Sequence, residues 1–113
     1  MKKVIFHVDE NSKFNLAHAN IINMLAYYKE LQAPVTIELL LNSEAVSLTT
    51  TNSEVIDSVK QLLTNHVIVA VCNNSMKKLS LTPSDLIKGV TIVQAGVVEL
   101  AEKQLEGYAY IKP

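Results

Sequence analysis

One stretch constrains this chain more than any other: Val67-Ile68-Val69-Ala70-Val71-Cys72. It is short, rich in β-branched residues and free of polar alternation. A half-exposed strand alternates apolar and polar residues, and an amphipathic helix repeats every 3.6. This run does neither, and reads as a central strand covered on both faces, as in a parallel sheet between helices. Its last residue is the only cysteine in the chain.

The flanking pattern agrees. Val4 to Val8 is a first β-rich run, and Asp9-Glu10-Asn11-Ser12 after it include good helix caps. Ala17, Ile21, Met24, Leu25, Tyr28 and Leu31 then share one helical face, and Ala33-Pro34 stops that helix. Val35 to Leu41 is a second strand with Glu38 its only charge, and Asn42-Ser43-Glu44 is a turn. Val55, Ile56, Val59, Leu62 and Leu63 mark a second amphipathic helix. After Cys72 come Asn73-Asn74-Ser75 and a short piece around Met76 to Leu79. Pro83 opens another short helix capped by Thr82. Val90 to Gln94 is a fourth strand, Val97 to Leu105 a helix ended by Gly107, and Tyr108 to Ile111 a fifth strand.

Strand-helix alternation with five strands predicts an α/β fold: a three-layer α/β/α arrangement around a five-stranded parallel sheet, as a single domain over 1–113. At 113 residues the chain can bury a core without metal or disulfide. Apolar residues are 49% and aromatics 5%, so that core is aliphatic. Strand order is not readable from sequence.

Charge narrows the partners. The net charge is −1, the lysines are scattered and there is no arginine. No nucleic acid is therefore expected, because phosphate binding wants clustered cations. The apolar run after Met1-Lys2-Lys3 is too short for a signal peptide and nothing approaches a membrane span, so no membrane partner is expected. A lone thiol fits a reducing, cytoplasmic setting. There is no metal cluster, no Gly-rich dinucleotide fingerprint and no Walker loop, so neither metal nor cofactor is expected.

In such folds ligands lie at the carboxyl ends of the strands. That edge collects His7 and Asp9, then Asn42 to Glu44, Cys72 to Ser75, Ala95-Gly96 and Lys112. His66 falls at the opposite edge and His18 on a helix, so only His7 could assist Cys72. Two readings of Cys72 stand: a thiolate favoured by the helical turn after it, with Lys77 and Lys78 adding positive potential, or a small buried hydrophobe. Asn73, Asn74 and Ser75 either shape the turn and cap the next short helix, or line a small pocket with donors for an anionic or persulfide group. Gly96 either admits a ligand to a helix amino end or packs closely. Asp9 reads as a cap or turn residue before it reads as an acid or base.

Three stretches together resemble the DsrE/DsrF-like, or YchN-like, family: Val4 to Asp9, Val67 to Met76 with its strand ending Cys-Asn-Asn-Ser, and Ala95 to Pro113. The resemblance implies a five-stranded α/β/α fold and assembly into trimers or hexamers. In sulfur-relay members it also implies a strand-end cysteine that passes persulfide sulfur between a donor and an acceptor protein. Cys72 stands at that position, with His7, Asn42, Asn73, Asn74 and Gly96 as candidate ligand-binding residues. Related sequences often carry glycines after strand two, where this chain reads Asn42-Ser43-Glu44-Ala45. The alternative function is a non-catalytic oligomeric scaffold with a small-ligand pocket at the same edge. A phosphoacceptor receiver domain also ends its sheet in Lys-Pro, but Cys72-Asn73 occupies the end of strand three where its aspartate belongs.

Overall fold

A computed structural model describes residues 2–113, so Met1 of the Met1-Lys2-Lys3 opening lies outside the described residues. The strands are β1 (Lys2–Val8), β2 (Val35–Leu41), β3 (Ile68–Cys72), β4 (Thr91–Val93) and β5 (Ala109–Ile111). The helices are α1 (Phe14–Glu30), α2 (Ile56–Thr64), α3 (Asn73–Lys78) and α4 (Gly96–Leu105). All pairings are parallel, in the order β4-β3-β2-β1-β5. A receiver domain has the order 2-1-3-4-5, so that relationship is set aside.

The two sides of the sheet are dressed differently. On one side Phe6, Val8, Ile37, Leu39, Leu41, Val69 and Val71 pack against Phe14, Ala17 and Ile21 of α1 and Val59 and Leu62 of α2. On the other, the buried cluster is only Ile5, Leu40, Ala70 and Leu100, and α4 is its helix. The expectation that β3 is covered on both faces therefore needs correction at Ile68, which is 37% exposed. One helix cannot span five strands, and the flanks of the α4 face stay open.

Several local expectations also shift. No side chain of Asp9 to Ser12 caps α1: a 3-10 turn, Asn11–Lys13, precedes the helix, and its first N–H, from Asn11, bonds Glu44 Oε2 at 2.7 Å. Leu31 lies past the end of α1 and is exposed. The helix after Cys72 begins at once, at Asn73, because Cys72 already has the extended backbone of a residue preceding a helix. Thr82 holds the 3-10 turn Pro83–Asp85 as expected, its N–H donating to Asp85 Oδ2 at 2.8 Å. Gly107 ends α4 with φ 95°, a conformation that favours glycine.

The loop after β2 needs a left-handed residue, and Ser43 supplies it with φ 52°. A serine here costs strain that a glycine would avoid. The neighbouring contacts hold it: Ser43 N–H donates to Ser75 Oγ at 2.8 Å. A 3-10 helix, Ser43–Thr49, follows where only a turn was expected.

Candidate functional site

The all-parallel sheet sends every strand's carboxyl end to one edge. Residues two apart share a face, so the α4 face carries Ile5 then His7 on β1, Leu40 then Asn42 on and just past β2, and Ala70 then Cys72 on β3. The apolar members form the cluster beneath α4; His7 lies level with Leu40 and Ala70, and Asn42 and Cys72 lie one step beyond, at the edge.

Cys72 is buried and free. Burial pushes its thiol up. The Ser75 hydroxyl and the backbone N–H groups of Gly96, Ser75 and Asn74 more than offset that, and leave the thiol below its ordinary value. These donors stabilise the thiolate directly. They come from the starts of α3 and α4, so two helix amino ends meet at one sulfur. Lys77 and Lys78 do not supply the expected potential: they lie in the last turn of α3.

Gly96 allows this convergence. A Cβ on it would stand 3.3 Å from Cys72 Cβ and 3.2 Å from both Asn42 Cβ and Leu40 Cδ1. Close packing is therefore its observed role, and its N–H is among the groups that lower the Cys72 thiol.

His7 is buried and bonded at both ring nitrogens. Nε2 is 2.9 Å from Asn42 Oδ1, and Nδ1 is 2.7 Å from the Tyr110 hydroxyl. Asn42 is tied at its backbone as well, donating to Val8 O at 3.2 Å. Asp9 does not cap: its Oδ1 pairs with Lys112 Nζ at 3.0 Å, and that bond holds its carboxyl below the usual range.

The structure thus brings Cys72, Asn42 and Gly96 into contact range and ties His7 to Asn42. Asn73 opens α3 half-buried. Asn74 lines a hollow of about 370 Å³ with Val93, Gln94, Ala95, Val98 and Glu99, to which Cys72 itself does not contribute. His66 lies outside β3 at its amino end, away from the thiol. Among the described residues there is no cluster that could hold a metal ion. Nor is any helix among them long and apolar enough to cross a membrane.

One participant is not singled out by sequence: Tyr110 reads only as part of a strand, whereas Ser75 is among the donors expected after the thiol. The alternation Tyr108-Ala109-Tyr110 puts both tyrosines on one strand face, but only the β1–β5 pairing, with Ile5 opposite Tyr110, turns that face toward His7.

The sequence profile of the DsrE/DsrF-like family matches residues 3–113. The chain belongs to the DsrE/DsrF-like family. Among solved structures it is similar to MTH1491 of Methanobacterium thermoautotrophicum, a protein of unknown function, with 31% identity, full coverage of both chains and a TM-score of 0.93. It is also similar to YchN of E. coli, with 19% identity, full coverage of both chains and a TM-score of 0.76. BT1422 of Bacteroides thetaiotaomicron, a conserved protein of unknown function, is 14% identical over 99% of this chain and 95% of its own, with a TM-score of 0.76. The last two likenesses are of fold alone. No curated protein matches the sequence.

Proposed function

We propose that this DsrE/DsrF-like protein is a sulfur carrier in the cytoplasm, with Cys72 as the residue that holds the sulfur. The observation that carries the reading is the thiol lowered against its own burial by Ser75 and three backbone N–H groups. A purely structural cysteine in an apolar setting is pushed up instead.

The chemistry is thiol exchange. Cys72 thiolate attacks the outer sulfur of a donor persulfide, R–S–S–H. A bond forms between Cys72 Sγ and that sulfur, the donor's S–S bond breaks, and the donor leaves as thiolate R–S⁻. The transferred sulfur keeps its proton or loses it to water. An acceptor thiolate then repeats the attack, and Cys72 thiolate is released. No external oxidant or reductant is needed. Small donors such as the N–H groups of Asn74, Ser75 and Gly96 suit the anionic intermediates.

We propose further that the carrier works as a homo-oligomer, a trimer or hexamer. The outer surface of α4 supports this: Val97 is 71% exposed, Val98 55% and Leu105 82%, with Ile68 open on the same face of the sheet. Apolar residues grouped in this way commonly mark an interface. The same surface favours the second reading, an oligomeric scaffold in which Cys72 is dispensable.

Trapping separates the two. The full chain is incubated with a persulfide donor and analysed by mass. A gain of about 32 Da, one sulfur atom, is expected on Cys72 and absent in Cys72→Ser. Iodoacetamide rates against pH should give a thiol below the free-cysteine value in the wild type and a higher one in Ser75→Ala. No adduct, with a thiol at or above the free value, would leave the scaffold reading in its place.

A further inference from the structure

Four neighbouring strands each give one side chain to the α4 face at the carboxyl edge. They are Cys72 from β3, Asn42 just past β2, His7 from β1 and Tyr110 from β5, in the spatial order of the strands. Three of them form a continuous hydrogen-bonded chain, Tyr110–His7–Asn42. The fourth is the thiol, whose Cβ shares with Asn42 Cβ the space left by the missing side chain of Gly96.

The bonding partners fix the direction of this chain. Asn42 Oδ1 can only accept, so His7 Nε2 carries a hydrogen and donates it. In the neutral ring Nδ1 then accepts, and the Tyr110 O–H donates to it. With the Asn42 oxygen bonded to His7, its NH₂ group is left for another acceptor, and Cys72 is its neighbour on the β3 side. The thiol sulfur already has donors in Ser75 and three backbone N–H groups. An outer sulfur bound to it would reach one atom further.

We infer that Tyr110 is a positioning residue. Through His7 it holds the Asn42 amide so that the NH₂ group donates to the outer sulfur of a persulfide anion on Cys72. The inference rests on the carrier reading, but it assigns a task to residues that reading does not need. Tyr110 never touches the sulfur.

Two measurements test it on the full chain. The first needs no sulfur: ring ¹⁵N spectra should show His7 in the Nε2–H form, and an Nδ1–H ring would overturn the inference. In the second, Cys72 is loaded from a persulfide donor, the donor is removed, and sulfur retention is followed by mass. Tyr110→Phe and His7→Leu should lose sulfur about threefold to tenfold faster, the span of one hydrogen bond. His7→Gln should retain it much as the wild type does, because its amide nitrogen reaches roughly the place of Nε2. Iodoacetamide rates at Cys72 should stay equal across the four proteins. A parallel fall in alkylation would place the effect on Sγ itself and overturn the inference. Equal retention in all four overturns it while the carrier stands. A wild type that takes no sulfur removes the carrier, and this role of Tyr110 with it.

Discussion

The two faces of the sheet are built from the same strands to opposite ends. Under α1 and α2 the contacts are aliphatic and aromatic, and almost every side chain is sealed from water. Under α4 four apolar residues share the surface with Glu38, His7, Asn42 and Cys72. The first face supplies stability, which grows with apolar area removed from water. The second accepts polar and reactive groups, and its cost is carried by the first. A domain this small has room for one good core, and placing it on one side leaves the other for chemistry.

The largest expected effect comes from breaking the thick face. Phe14, 1% exposed at the start of α1, packs in its centre. Phe14→Ala should cost about 3–5 kcal/mol in a urea unfolding experiment, through lost burial and the cavity left behind. A loss under about 1 kcal/mol would mean that the two faces contribute alike.

Glu38 tests the thin face. It is 1% exposed, and its Oε2 has no partner. Burial, then the neighbouring Glu99, pushes its carboxyl from 4.5 up to about 8, with Lys103 opposing. The folded state therefore keeps a proton that the unfolded chain releases. Stability is greatest below about 4.5, falls as pH rises toward about 8 and then levels off. Glu38→Gln cannot ionise in either state and should flatten this slope. Unfolding midpoints of the two proteins at pH 5 and pH 8 measure it: the variant should gain on the wild type by at least about 1 kcal/mol between them. Parallel pH profiles would show that Glu38 is ionised in the fold.

The smallest effect belongs to the rim. Asp9 and Lys112 pair where both side chains are more than a third exposed. Asp9→Asn should change stability by about 0–1 kcal/mol, and less in high salt. A larger loss at high salt would make this pair part of the core.

The sheet was legible because strand and helix periods differ so sharply. Val35–Leu41 is found where the sequence puts it, and Val67–Cys72 only loses its first residue. The edge positions of His7, Asn42 and Cys72 follow from strand ends alone. What stayed hidden depends on pairing over distance. Strand order decides that β5 lies beside β1, and only then does Tyr110 meet His7. Glu38 was visible as the one charge in a strand, but its burial depends on α4 crossing that point. Ser43 occupies a left-handed position without the glycine that would advertise it.

The pairing of β1 with β5 also sets a schedule. Lys3 bonds the Glu106 carbonyl, His7 bonds Tyr110 and Asp9 bonds Lys112, each across 103 positions of chain. During synthesis the thick core between β1, α1, β2, α2 and β3 has its residues together well before Tyr110 leaves the ribosome. Domains can begin folding as they emerge, but closing the longest loop is left to the end. The strand that carries the cysteine is therefore placed early, while the thiol waits for Gly96 and His7 for Tyr110, so a nascent chain stalled before α4 would display a folded body with an unfinished edge.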